Sequence, residues 1–136
     1  MSGSTRAARR PKTRILVVDD DPDARLLLRL ILGAATYEVY TAEDAYDALL
    51  TLYDTDPDLL LVDLMLPERD GWDIIKAVRS DPEMLDLPIV AMSARFRLLN
   101  APDHGIQGYV RKPFETFALL DTLDEVLRHE SASADG

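Results

Sequence analysis

The chain has 136 residues, 47% hydrophobic and 29% charged, with no cysteine and a formal net charge of −10. That length and composition fit one globular domain with a proper core and exclude disulfides and thiolate chemistry. No apolar run approaches the roughly 20 residues of a membrane helix, and the N-terminus lacks the apolar stretch of a secretory signal, so a cytoplasmic protein without membrane contact is expected.

The charge is unevenly spread. Arg6, Arg9, Arg10, Lys12 and Arg14 precede any acid, and from Ile15 onward ten basic residues face twenty-five acidic ones. So acidic a body disfavours direct contact with nucleic acid and favours cations or basic protein surfaces. Residues 1–13 read as a solvated, disordered basic leader, 14–130 as the folded domain, and 131–136 as a disordered tail.

In chain order, Arg14 to Val18 reads as a buried strand ending in Asp19-Asp20-Asp21. Pro22 to Ala35 reads as a helix with Leu27, Leu28 and Ile31 on its inner face and Gly33 near its end. Asp21-Pro22 suits a helix cap and first turn, which leaves Asp19 and Asp20 to be explained. Glu38 to Tyr40 is a short strand, and Ala42 to Tyr53 a helix with Ala45, Ala48, Leu49 and Leu52 inward. Leu59 to Val62 is apolar on both faces, as an internal parallel strand should be.

Asp70-Gly71 opens a helix running to about Ser80 through Trp72, Ile75 and Val78. Pro88 introduces a strand over Ile89 to Met92, and Gln107 to Val110 is a fifth. The last helix is expected over Phe114 to His129, with Phe117, Leu120, Leu123 and Leu127 at helical spacing. Pro102 stands where a helix between the fourth and fifth strands would run, which predicts a short or irregular one.

Five strands alternating with helices imply an α/β domain, a parallel sheet covered on both faces. In such sheets the functional crevice lies beyond the carboxyl ends of the strands. Those ends carry Asp19-Asp20-Asp21, Asp63, Ser93 and Arg111-Lys112. Carboxylates crowded at one edge repel unless a hard, oxygen-preferring cation, Mg²⁺ or Mn²⁺, is held among them. With the cation bound, one carboxylate can act as a nucleophile toward phosphorus, while Lys112 shares the phosphoryl charge and Ser93 donates a hydrogen bond.

Val17-Val18-Asp19-Asp20, Asp63-Leu64-Met65-Leu66-Pro67 with Asp70-Gly71, Met92-Ser93-Ala94 and Tyr109-Val110-Arg111-Lys112-Pro113-Phe114 together resemble the receiver domain of two-component response regulators, over about Arg14 to Arg128. The resemblance implies a doubly wound, flavodoxin-like sheet of strand order 2-1-3-4-5. It implies Asp63 as phosphoacceptor from a histidine kinase phosphohistidine, and a Mg²⁺ site of Asp20 directly, Asp19 through water, Asp63, and the Met65 backbone carbonyl. Ser93 matches the switch hydroxyl, Lys112 the site lysine, Tyr109 the switch aromatic, and Lys112-Pro113 the cis peptide.

Implied partners are a sensor histidine kinase or phosphotransfer protein and a downstream protein target, with a phosphorylation-dependent dimer allowed. The chain is then no enzyme beyond its own phosphorylation and dephosphorylation. Met65 and Arg95, two positions past Asp63 and Ser93, flank the path of attacking water in the resembling domains, and slow phosphoryl loss is expected. The alternative is a degenerate receiver that binds proteins without phosphorylation, against which the complete acid, serine and lysine set argues. A flavin carrier would need a hydroxyl- and glycine-rich loop after the first strand, and phosphatases resembling the haloacid-dehalogenase group need a second acid where Met65 stands.

Overall fold

A computed structural model describes residues 11–66, 71–94 and 105–135. Five parallel strands form one sheet: β1 (Arg14–Val18), β2 (Glu38–Ala42), β3 (Leu59–Asp63), β4 (Ile89–Ser93) and β5 (Gly108–Arg111). Their spatial order is β2-β1-β3-β4-β5, as the resemblance implies. The helices are α1 (Pro22–Ala34), α2 (Ala45–Thr55), α3 (Gly71–Arg79) and α4 (Thr116–Asp135), with a 3₁₀ turn at Pro82–Met84.

Alternation along the central strands divides the core into two layers. Leu16, Val18, Leu60, Val62, Ile89 and Ala91 face α2 and α3, while Ile15, Val17, Leu59, Leu61, Val90 and Met92 face α1 and α4. β3 and β4 are buried at every position, which is why they lack polar alternation. Each such Leu or Ile contributes about 1.5–3 kcal/mol by leaving water.

Local sequence sets the helix starts. Asp21 caps α1 by accepting from the Asp23 amide at 3.0 Å, with Pro22 next, as expected. Asp44 caps α2 by accepting from the Asp47 amide at 2.8 Å. That helix starts three residues later than expected, because Ala42 stays in β2 opposite Val18.

Two expected core positions are exposed instead. On α1 the buried pair is Leu28 and Leu32, while Leu27 is exposed. On α4, Leu119, Leu123 and Val126 line the core; Phe117 faces solvent, and Leu120 and Leu127 are only partly buried. Leucine-rich helices offer two neighbouring stripes with the same period, and contact with the sheet selects one. Gly33 is a helical residue rather than a terminator; the left-handed turn after α1 falls on Thr36, at φ 73°. α4 runs to Asp135, since Ala132 and Ala134 favour helix and no Pro or Gly intervenes. Residues 1–10 of the expected leader, and the segment 95–104 where a short helix was expected, lie outside the described residues.

Candidate functional site: an acidic edge with one lysine

Register brings the functional ends of the strands level. Val18 pairs with Ala42 and Val62, Asp63 with Met92, and Ser93 with Arg111. The residues just past β1, at the end of β3 and just past β5 therefore meet at one edge. Carboxylate oxygens of Asp19, Asp20 and Asp63 lie within 4.8 Å of one another.

Lys112 enters this cluster from β5. Its Nζ donates to Asp19 Oδ2 at 2.6 Å and to Asp63 Oδ2 at 3.0 Å. Asp19 is fully buried, Asp63 is 5% exposed, and Asp20 faces solvent. Burial pushes the Lys112 ammonium down, but hydrogen bonds to Asp19 and Asp63 outweigh it and hold the group above its ordinary range. One lysine against three carboxylates leaves the edge negative.

The remaining oxygens are engaged unequally. Asp19 Oδ1 accepts from the Asp21 amide at 3.0 Å, so both its oxygens are used. Asp63 Oδ1 accepts from the Met65 amide at 2.8 Å. The Asp20 carboxylate has no hydrogen-bond partner among the described residues. Ser93 is buried at the end of β4, and its carbonyl accepts from the Lys112 amide at 2.9 Å. The Lys112–Pro113 peptide is cis.

Tyr109 lies on β5 with its side chain 44% exposed. The Met65 side chain is exposed too, while its backbone amide donates to Asp63. Arg95 lies outside the described residues.

Two supporting residues escaped the sequence reading. Arg25 reaches back from α1 to donate from Nη1 to the Asp19 carbonyl at 2.8 Å, fixing the peptide that joins the two acids. Its spacing of six residues is no motif, so nothing in the sequence marked it. Gly71 was noted only as part of a motif. A Cβ there would sit 2.4 Å from the Asp63 carbonyl oxygen and 2.8 Å from Leu64 Cα, so only glycine lets α3 start against the end of β3.

Hard oxygen donors at these separations fit Mg²⁺. Ligands at 2.0–2.1 Å on an octahedral ion lie about 3–4 Å apart, within a small side-chain movement of this cluster. Asp20 and Asp63 would hold such an ion, with Asp19 behind them.

Residues 15–124 match the family model of the response regulator receiver domain. Similar solved structures include a sensor protein from Polaromonas sp. JS666, 31% identical, covering 88% of this chain and 99% of that one at a TM-score of 0.82. Vibrio cholerae chemotaxis protein CheY4 is 30% identical, with 85% and 98% covered and a TM-score of 0.76. TrrA from Thermotoga maritima, in complex with Mg²⁺-BeF, is 28% identical, with 84% and 98% covered and a TM-score of 0.75. The chain belongs to the response regulator receiver domain family of two-component systems.

Members of that family are generally not true enzymes and work with histidine kinases or phosphotransfer proteins. Among the described residues no helix is long and apolar enough to cross a membrane.

Proposed function

We propose that Asp63 accepts a phosphoryl group from the phosphohistidine of a histidine kinase or phosphotransfer protein, and that the change alters a protein-binding surface. The observation that carries this reading is the buried Asp63 carboxylate between Lys112 and two further acids at the carboxyl edge of the sheet. A structural acid would not be built beside two others.

An Asp63 oxygen would attack phosphorus as the P–N bond to the donor imidazole breaks, giving an aspartyl phosphate and a free histidine. Mg²⁺, or Mn²⁺ in its place, when bound supplies neutralisation of phosphoryl and carboxylate charge. Asp20 would ligate it directly, because its carboxylate is uncommitted; Asp19, with both oxygens engaged, would act through water, and the Met65 carbonyl would add a further oxygen. Lys112 would exchange its Asp63 contact for a phosphoryl oxygen while keeping Asp19. Ser93, at the neighbouring strand end, would donate to another phosphoryl oxygen, and Tyr109 on the same edge strand would respond to that movement.

Phosphoryl lifetime follows from the same positions. Met65 offers attacking water no strong hydrogen bond, so loss at neutral pH should be slow. Acid-labile phosphate that disappears within seconds would contradict this.

The phosphoryl stand-in beryllofluoride tests the site without a kinase. With Mg²⁺ it should raise the melting temperature of the wild type and leave Asp63→Asn unmoved. A wild type that shows no response would count against the reading.

A further inference from the structure

Helix α1 is apolar on the face turned away from the sheet as well as on the face against it. Leu28 and Leu32 are buried, while Leu26, Leu27 and Leu30 are 56%, 48% and 61% exposed. With the exposed Gly33 and Ala34 they fall at i, i+1, i+4, i+7 and i+8, one stripe opposite the buried pair. A helix that is hydrophobic all round is ordinarily covered all round.

The arginines of α1 do not shield this stripe. Arg25 donates from Nη1 to the Asp19 carbonyl at 2.8 Å, and Arg29 from Nη2 to the Thr41 hydroxyl at 3.1 Å. Both guanidinium groups are thus drawn to the sheet. Asp23, in the first turn, is the one acid of the helix, and no other follows before Glu38. On a body where acids outnumber bases, such a face is where a second copy meets least repulsion.

Gly33 is not required by the fold of the single chain. A Cβ there would meet nothing within 4 Å, and glycine weakens a helix relative to alanine. The stripe is bulky in its first half and small in its second. About a two-fold axis through Leu30, antiparallel copies of α1 set those halves against each other. Leu30 meets Leu30, Leu27 meets Gly33 of the second copy, and Leu26 meets its Ala34. Gly33 is then the hole for Leu27 and lets the helix axes approach to about 8 Å. A parallel pair would instead leave a gap where Gly33 faces Gly33.

The antiparallel sense also keeps like charge apart. Because α1 starts beside the acidic edge, the two edges lie at opposite ends of the pair, about 20 Å apart along the helix. The stripe presents about 300 Å² of apolar surface per copy, so with its rim the pair buries about 1,000 Å², the size of a weak, reversible contact.

We propose that α1 is the contact of a reversible two-fold dimer of this chain, centred on Leu30. The dimer forms without phosphate and stands apart from the phosphoacceptor reading.

Sedimentation of the full chain without a phosphodonor tests it, from about 10 µM to about 1 mM. Wild type should pass reversibly from monomer to dimer across that span. Leu30→Glu sets like charges on the axis and Gly33→Gln fills the hole, and each should weaken dimerisation by about tenfold or more. Both positions are exposed. Gly33→Gln, a better helix former, should hold or raise the melting temperature of the dilute protein, which separates lost contact from lost folding. Leu50→Ser, exposed on α2, should dimerise as the wild type does. A monomer at every concentration would overturn the proposal and leave the face to a different protein. So would a dimer that both α1 variants leave intact, or one that Leu50→Ser breaks.

Discussion

Strand β3 is bracketed by two buried aspartates, Asp58 just before it and Asp63 at its end, 6% and 5% exposed. Asp58 is tied into the sheet margin. Its Oδ2 accepts from the Arg14 amide at 2.8 Å, and its own amide donates to the Arg14 carbonyl at 2.8 Å. Asp63 instead meets one lysine and two other carboxylates. Burial alone therefore does not set the two acids apart; crowding with like charge does. One end of the strand uses a carboxylate to close a backbone corner, and the other keeps negative charge in excess.

The sharpest break between the two ends comes from Asp58→Ala. It leaves the Arg14 amide without its carboxylate partner, and a loss of about 1–3 kcal/mol is expected in urea unfolding. Beryllofluoride binding should persist. Equal damage to binding and stability would erase the distinction between the two acids.

Next in size is the response to Mg²⁺. At ten times its dissociation constant the ion should stabilise the wild type by about 1.4 kcal/mol, seen as a rise in melting temperature. Asp20→Asn should remove that response and leave the metal-free stability unchanged or slightly higher, because a like charge is gone. Metal-free destabilisation by Asp20→Asn would show that the cluster is structural.

A control of about 1 kcal/mol lies in the turn after α1. Thr36 is β-branched yet held at φ 73°, so Thr36→Gly should stabilise by about 1 kcal/mol without touching Mg²⁺ binding. Chemical denaturation checks it.

The smallest effect is at alkaline pH. The Lys112 ammonium titrates above its ordinary 10.5 in the fold, so its contribution is complete below that pH and is lost as pH rises through the higher folded value. Metal-free urea midpoints should carry no Lys112 term between pH 7 and about 10, and Lys112→Met should lack the later fall.

The sequence was most legible where one physical rule dominated. Unbroken apolar runs mark β3 and β4, and strand-end placement by itself puts Asp19, Asp20, Asp63 and Lys112 at one edge. Helix faces were read less well, because Leu27 against Leu28 and Phe117 against Leu119 differ only in which neighbouring stripe the sheet accepts. Least visible were Arg25 on the Asp19 carbonyl and the clearance beside Gly71. Both depend on how α1 and α3 seat against strand ends, which no local pattern encodes.

Intact mass after incubation with acetyl phosphate and Mg²⁺ tests the central claim most directly. The wild type should gain one phosphate, and Asp63→Asn should gain none. The same gain in Asp63→Asn, or none in either protein, would contradict the assignment of Asp63 as the phosphoacceptor.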